Sequence, residues 1–105
     1  MIERKGLNTY ELFEGDELRI AQRIQNLRLK ILVHSYIYYE KDMNIISDHA
    51  WNRWAQELVI LQNAYPHIAE QIIYHDQFKD WDGSSGAFFI FDDATIARAN
   101  NLLGG

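Results

Sequence analysis

The stretch His34-Ser35-Tyr36-Ile37-Tyr38-Tyr39-Glu40-Lys41-Asp42, followed by Met43-Asn44-Ile45-Ile46-Ser47-Asp48 and the Trp51/Trp54 pair, decides how this chain is read. It places three of the six tyrosines within four positions, then a short polar connection, then a fresh helix start. Upstream, Ile20, Ile24, Leu27, Ile31, Ser35 and Tyr38 follow steps of four and three, with no Gly or Pro between them. That spacing is the period of one helix face, and it predicts a helix over about 17–40. Asp16, after Gly15, is the expected N-cap, with Glu17 placed at the positive helix end. Downstream, Ser47 or Asp48 caps a second helix over 48–65 whose stripe is Trp51, Trp54, Leu58, Leu61 and Tyr65, stopped at Pro66. Two long amphipathic helices joined by so short a connection fold back as an antiparallel hairpin.

Working outward, Pro66 suits the first turn of a short third helix running toward Tyr74, with Ile68, Ile72 and Ile73 turned inward. Residues 75–86 read as a structured, aromatic-rich loop, because Phe78 and Trp81 must be buried somewhere among its aspartates, serines and glycines. Ala87-Phe88-Phe89-Ile90-Phe91 reads as a short buried strand or as a hydrophobic clamp over the helices. Asp92 or Asp93 then caps a C-terminal helix carrying Ile96, Ala97, Leu102 and Leu103, ended by Gly104-Gly105. Asn8–Phe13 reads as a strand or an arm docking through Tyr10 and Phe13. The expected fold is therefore all-α, one domain over 1–105.

Composition narrows the function classes. A chain of 105 residues with 48% hydrophobic and 24% charged residues supports one modest core. The absence of cysteine removes disulfides, thiolate metal sites and thiol nucleophiles. A net charge of −5 argues against direct nucleic-acid binding, which rests on Lys and Arg neutralising phosphates. The basic group Arg19, Arg23, Arg28 and Lys30 reads as a solvated helix face. No segment reaches the ~18 apolar residues of a membrane span, and Met1–Gly6 begins no signal peptide, so a soluble cytoplasmic protein is expected.

Catalytic constellations are sparse. No two of His34, His49, His67 and His75 have metalloprotease spacing, and His34 reads as a ring hydrogen-bonded within the hairpin. The aspartates between Asp76 and Asp93 lack the pattern of a calcium loop and read as turn formers. Tyr38, Tyr39, Asp42, Asp48, Trp51 and Asn52 converge near the hairpin bend. Flat, hydroxyl-tipped rings suit a planar heterocycle, although the same residues would also serve as the aromatic plug of a hairpin core.

The order His34-x-Tyr36-x-Tyr38-Tyr39-x-x-Asp42, Ile46-Ser47-Asp48-x-x-Trp51-Asn52, Glu57-Leu58-x-x-Leu61 and Tyr65-Pro66, with Leu27-Arg28 upstream, resembles the N-terminal helical hairpin (domain Ia) of bacterial NAD-dependent DNA ligases. The likeness spans roughly 24–66. It implies a hairpin that grips the nicotinamide mononucleotide half of NAD, and Tyr38, Tyr39 and Asp48 match positions that touch that nucleotide in the family. Trp51-Asn52 stands where the family has Tyr-Asp, which keeps an aromatic face and loses a charge. These five residues are the expected ligand site, a nicotinamide nucleotide the expected ligand, and no metal is expected. The adenylated lysine of the ligases has no counterpart, since in Lys79-Asp80-Trp81-Asp82-Gly83 the Asp-Gly pair lies one residue too far from Lys79. A non-catalytic protein is therefore expected. Phe78-Lys79-Asp80-Trp81-Asp82-Gly83-Ser84-Ser85-Gly86 is similar to a stretch in short ligase-related proteins of Gram-positive phages and prophages. The alternative is a protein-interaction module or inhibitor acting on a host protein, with the hairpin only as scaffold.

Overall fold

The structure, a computed structural model, describes residues 12–104. Helix α1 (Gly15–Glu40) packs against α2 (Asp48–Ala64), followed by the single turns α3 (Pro66–Ala69) and α4 (His75–Phe78) and by α5 (Asp93–Leu102). No strand occurs among the described residues. No helix among them is long and apolar enough to cross a membrane. The expected arm through Tyr10 lies outside the described residues, whereas Phe13 is buried in the main core.

Helix α1 starts two residues earlier than its cap pattern suggested. Glu14 is the extended N-cap and makes no side-chain capping bond. Asp16 sits inside the first turn and pairs with Arg19. Ala21, Ile24, Leu27, Ile31 and Leu32 are buried together with Leu58 of α2, as the helical period requires. The stripe ends at Ser35, however, because Tyr38 is 52% exposed. A second face, Val33 and Ile37, packs with Ala99 of α5.

Helices α1 and α2 run antiparallel: His34 meets Trp54 at 5.3 Å between ring centroids, and further back along α1 the Arg28 Nε donates to Gln62 Oε1 at 2.8 Å. A two-pronged Arg23–Glu57 pair, 2.6 Å on each prong, adds a solvent-exposed link. Ser47 caps α2 as expected, its Oγ accepting from Ala50 N at 3.0 Å. Pro66 opens α3 at its first turn, but the expected third helix is shorter than 66–74. Tyr74 adopts a left-handed backbone (φ 71°) that separates it from the α4 turn.

Arg28 corrects the reading of the basic group as a solvated face. It is fully buried, and its Nη1 donates to the carbonyls of Ala69, Ile72 and Ile73 at 3.0–3.2 Å. The Ile72 and Ile73 carbonyls belong to the irregular stretch after α3, where no helix ladder satisfies them, whereas Ala69 O, at the end of α3, also accepts from Ile72 N at 3.1 Å. Burial lowers the guanidinium pKa to about 10, so it stays charged at neutral pH. Its carbon also lies 5.6 Å over the Phe78 ring.

Phe78 is itself fully buried, with Trp81 and Phe89 at centroid distances of 5.2 and 4.8 Å. The 75–86 segment is thus a structured, aromatic-anchored element, as read from sequence, with a helical turn at its start. Residues 87–91 make no strand. Phe89 and Phe91 pack inward while Phe88 and Ile90 stand 93% and 77% exposed. The Ile90 backbone is instead held by the Gln77 amide, which accepts from its N at 2.7 Å and donates to its O at 2.8 Å. Asp92 caps α5 through Thr95 N at 2.8 Å. The buried face of that helix is Thr95 and Ala99, with Ala97 and Leu102 exposed, because α1 approaches it from the other side.

Candidate functional site

The hairpin bend is built by a forced change of direction. Lys41 N and Met43 N both donate to Ile37 O at 3.2 Å, and Asp42 takes a left-handed φ of 54°, which Asp tolerates better than most residues. Residues 43–47 then run into the capped start of α2. Between this bend, the last turn of α1 and the Ser84–Gly86 loop lies a cavity of about 290 Å³.

All five sequence-predicted site residues, Tyr38, Tyr39, Asp48, Trp51 and Asn52, line that cavity. Tyr38 and Tyr39 meet edge-to-face at 4.9 Å and are about half exposed, so they do not form the aromatic plug of a hairpin core. Trp51 is half-buried and braced edge-on by Trp81 at 5.9 Å. Asp48 occupies the first turn of α2, where the helix dipole favours its negative charge. Asp42 does not line the cavity, although its backbone makes the bend that shapes it.

Three lining elements were not legible as site residues. His34 does not make the hydrogen bond expected of it: its buried Nδ1 has no partner among the described residues, and its ring instead tilts against Trp54. Burial, followed by the nearby Lys30 charge, lowers its pKa. Ser35, 2% exposed, likewise has a buried Oγ without a partner among the described residues. Buried polar atoms without protein partners are uncommon, and these two sit on adjacent residues of the cavity lining.

The third element is the Ser84–Gly86 loop. Gly83 (φ 85°) lets it turn against Ala55 and Val59 of α2. Gly86 fits so closely that an added Cβ would lie 2.3 Å from Ser35 Oγ. Trp81 Nε1 donates to Ser85 O at 2.8 Å, and Tyr39 Oη pairs with Ser85 Oγ at 3.3 Å. A glycine after two serines was the available signal, but glycine alone also fits any turn.

Chemically, the described residues give the cavity aromatic faces, one carboxylate and several hydroxyls, and no Lys or Arg among them lines it. Among the described residues no group of three or more His, Asp or Glu side chains is placed to hold a metal ion. The set suits a flat, polar, electron-poor ring better than a phosphate.

Residues 17–71, just over half of the chain, match a protein family described as "DNA ligase-like, N-terminal NAD+-binding domain". Similar proteins include DNA ligases of Pseudothermotoga lettingae, 43% identical over 49 residues, and of Syntrophobacter fumaroxidans, 40% identical over 53. A third, the DNA ligase of Carboxydothermus hydrogenoformans, is 36% identical over 53 residues. These alignments cover 47–50% of this chain but only 7–8% of the ligases, so the likeness is to one small part of each. No solved structure matches the chain. Hairpin architecture, the bend residues and the 17–71 match agree, and the chain belongs to the family of DNA ligase-like N-terminal NAD+-binding domains.

Proposed function

We propose that the cavity at the hairpin bend binds a nicotinamide nucleotide and that the chain acts on it without catalysis, as a binding protein of the phage or prophage type. The observation that carries this reading is the convergence of Tyr38, Tyr39, Asp48, Trp51 and Asn52 on one cavity, with both tyrosines left half exposed. An aromatic side chain left half exposed keeps a face available to stack on a ligand ring. The oxidised nicotinamide ring carries a positive charge, which tyrosine and tryptophan faces and the Asp48 carboxylate all attract. Isothermal titration with nicotinamide mononucleotide, NAD and ADP-ribose tests the assignment. Heat with the first two and little with ADP-ribose supports it, and no heat with any of them at about 1 mM, the concentration matching roughly −4 kcal/mol, refutes it.

A second reading, a protein-docking module, is favoured by the outward Phe88 and Ile90, 93% and 77% exposed. Under it, Phe88→Ser/Ile90→Ser would abolish capture of a host protein and leave nucleotide binding intact. Capture unaffected by that double variant would rule out this segment as the contact.

A further inference from the structure

The cavity has two sides of different chemistry and different origin. Tyr38, Asp48 and Trp51 lie within the family-matched segment 17–71, whereas Ser84, Ser85 and Gly86 lie outside it. We propose that the Ser84–Gly86 loop is a second, ribose-reading wall of the ligand site, with Ser85 Oγ and Tyr39 Oη as its contact pair; this rests on the nucleotide reading above.

The loop is held as a wall rather than left as a tether. Trp81 fixes its backbone at Ser85 O, Asp82 Oδ1 accepts from both Ser84 N and Ser84 Oγ, and Gly86 sits directly on Ser35. The Ser84 hydroxyl hydrogen is thus already used. Ser85 Oγ accepts from Ala87 N at 3.1 Å and lies 3.3 Å from Tyr39 Oη. If tyrosine is the donor in that pair, the serine hydrogen is free and the phenol oxygen can accept. If serine is the donor, the phenol hydrogen is free and the serine oxygen keeps one lone pair. In both cases a donor and an acceptor stand side by side. A ribose cis-diol, with adjacent hydroxyls that each donate and accept, is complementary to that pair.

Two further observations favour a sugar over a phosphate on this wall. Among the described residues no Lys or Arg lines the cavity, so a phosphate would stay toward solvent. The cavity, about 290 Å³, is also at the small end of ligand pockets, which run from about 300 to 1,000 Å³, and so suits a nucleoside-sized body.

The test is a cycle between protein and ligand on the full chain. Affinities of wild type and Ser85→Ala are measured for nicotinamide mononucleotide and for its 2′,3′-dideoxy analogue, with a thermal melt of each protein. Removing the diol or the serine hydroxyl alone should weaken binding about five- to tenfold. Removing both should be little worse than removing one, because the same bond is lost twice. Additive losses, or a Ser85→Ala affinity within about twofold of wild type, overturn the loop assignment alone. Wild type that binds neither compound overturns the nucleotide reading and this inference together. Should Ser85→Ala melt early, Gly86→Ala provides the second variant: its Cβ pushes the loop off Ser35, and an undiminished affinity for the mononucleotide would equally contradict a ribose-reading wall.

Discussion

Tyr38 is the residue at which packing and binding can be separated. Truncating a buried aromatic costs about 3–5 kcal/mol. Tyr38, however, is 52% exposed and touches chiefly Tyr39. Tyr38→Ala should therefore lower unfolding stability by less than about 1 kcal/mol, as measured in urea, while removing nucleotide binding. Asn52 allows the opposite experiment. Asn52→Asp restores the acid of the related ligases at an exposed cavity position, and a partly screened charge there should tighten binding of a cationic nicotinamide ring roughly two- to fivefold. A reduced, uncharged ring should gain nothing from the same change.

Buried Arg28 and half-buried His34 carry stability predictions. Arg28→Met keeps the aliphatic stem but leaves the buried carbonyls of Ile72 and Ile73 without their donor and takes a second donor from Ala69 O. A loss of about 3 kcal/mol or more is expected in a denaturant titration. His34 is held neutral, first by burial and then by Lys30. Its folded pKa lies below the unfolded one, so the unfolded chain binds the extra proton first as pH falls. Its contribution is present above the ordinary histidine pKa and is lost as pH drops through the folded value. Stability should decline between pH 7.5 and the folded-state pKa, and His34→Leu should flatten that part of the profile. An unchanged slope would place the acid sensitivity elsewhere.

At the scale of elements, the hairpin was legible because its signals are local. The four-and-three spacing from Ile20, the Ser47 cap and Pro66 each act within a turn or two of chain, and each appears where local chemistry puts it. Ser47→Ala should accordingly cost about 1 kcal/mol of stability. What was not legible depends on distant partners. Arg28 on a helix face looks like any exposed arginine until the end of α3 and the chain after it bring it three carbonyls. Residues 87–91 have the composition of a buried strand, yet no strand among the described residues stands beside them, and Gln77 takes the backbone bonds of Ile90 instead. Tyr38 lies in register with the core stripe, but α2 begins only after the bend at Asp42, and no element among the described residues covers Tyr38 as α2 covers Leu27 and Ile31.

At the scale of the whole molecule, α1 is shared by two packing units. One face builds the main core with α2, α3 and Phe78, and the other meets α5 through Val33, Ile37 and Ala99. The cavity lies where the free end of the hairpin meets the loop that links these units, so its shape depends on both. The sequence pattern picked out Tyr38, Tyr39, Asp48, Trp51 and Asn52, which line the hairpin side of the cavity. It could not identify the loop side, because contact between Gly86 and Ser35 spans half the chain. The most direct test of the central claim is an amide chemical-shift titration of the full chain with nicotinamide mononucleotide. Saturable shifts centred on residues 38–52 and 84–86 are expected. No shifts at millimolar ligand, or shifts confined to residues 87–91 and the surface of α5, would contradict a nucleotide site at the hairpin bend.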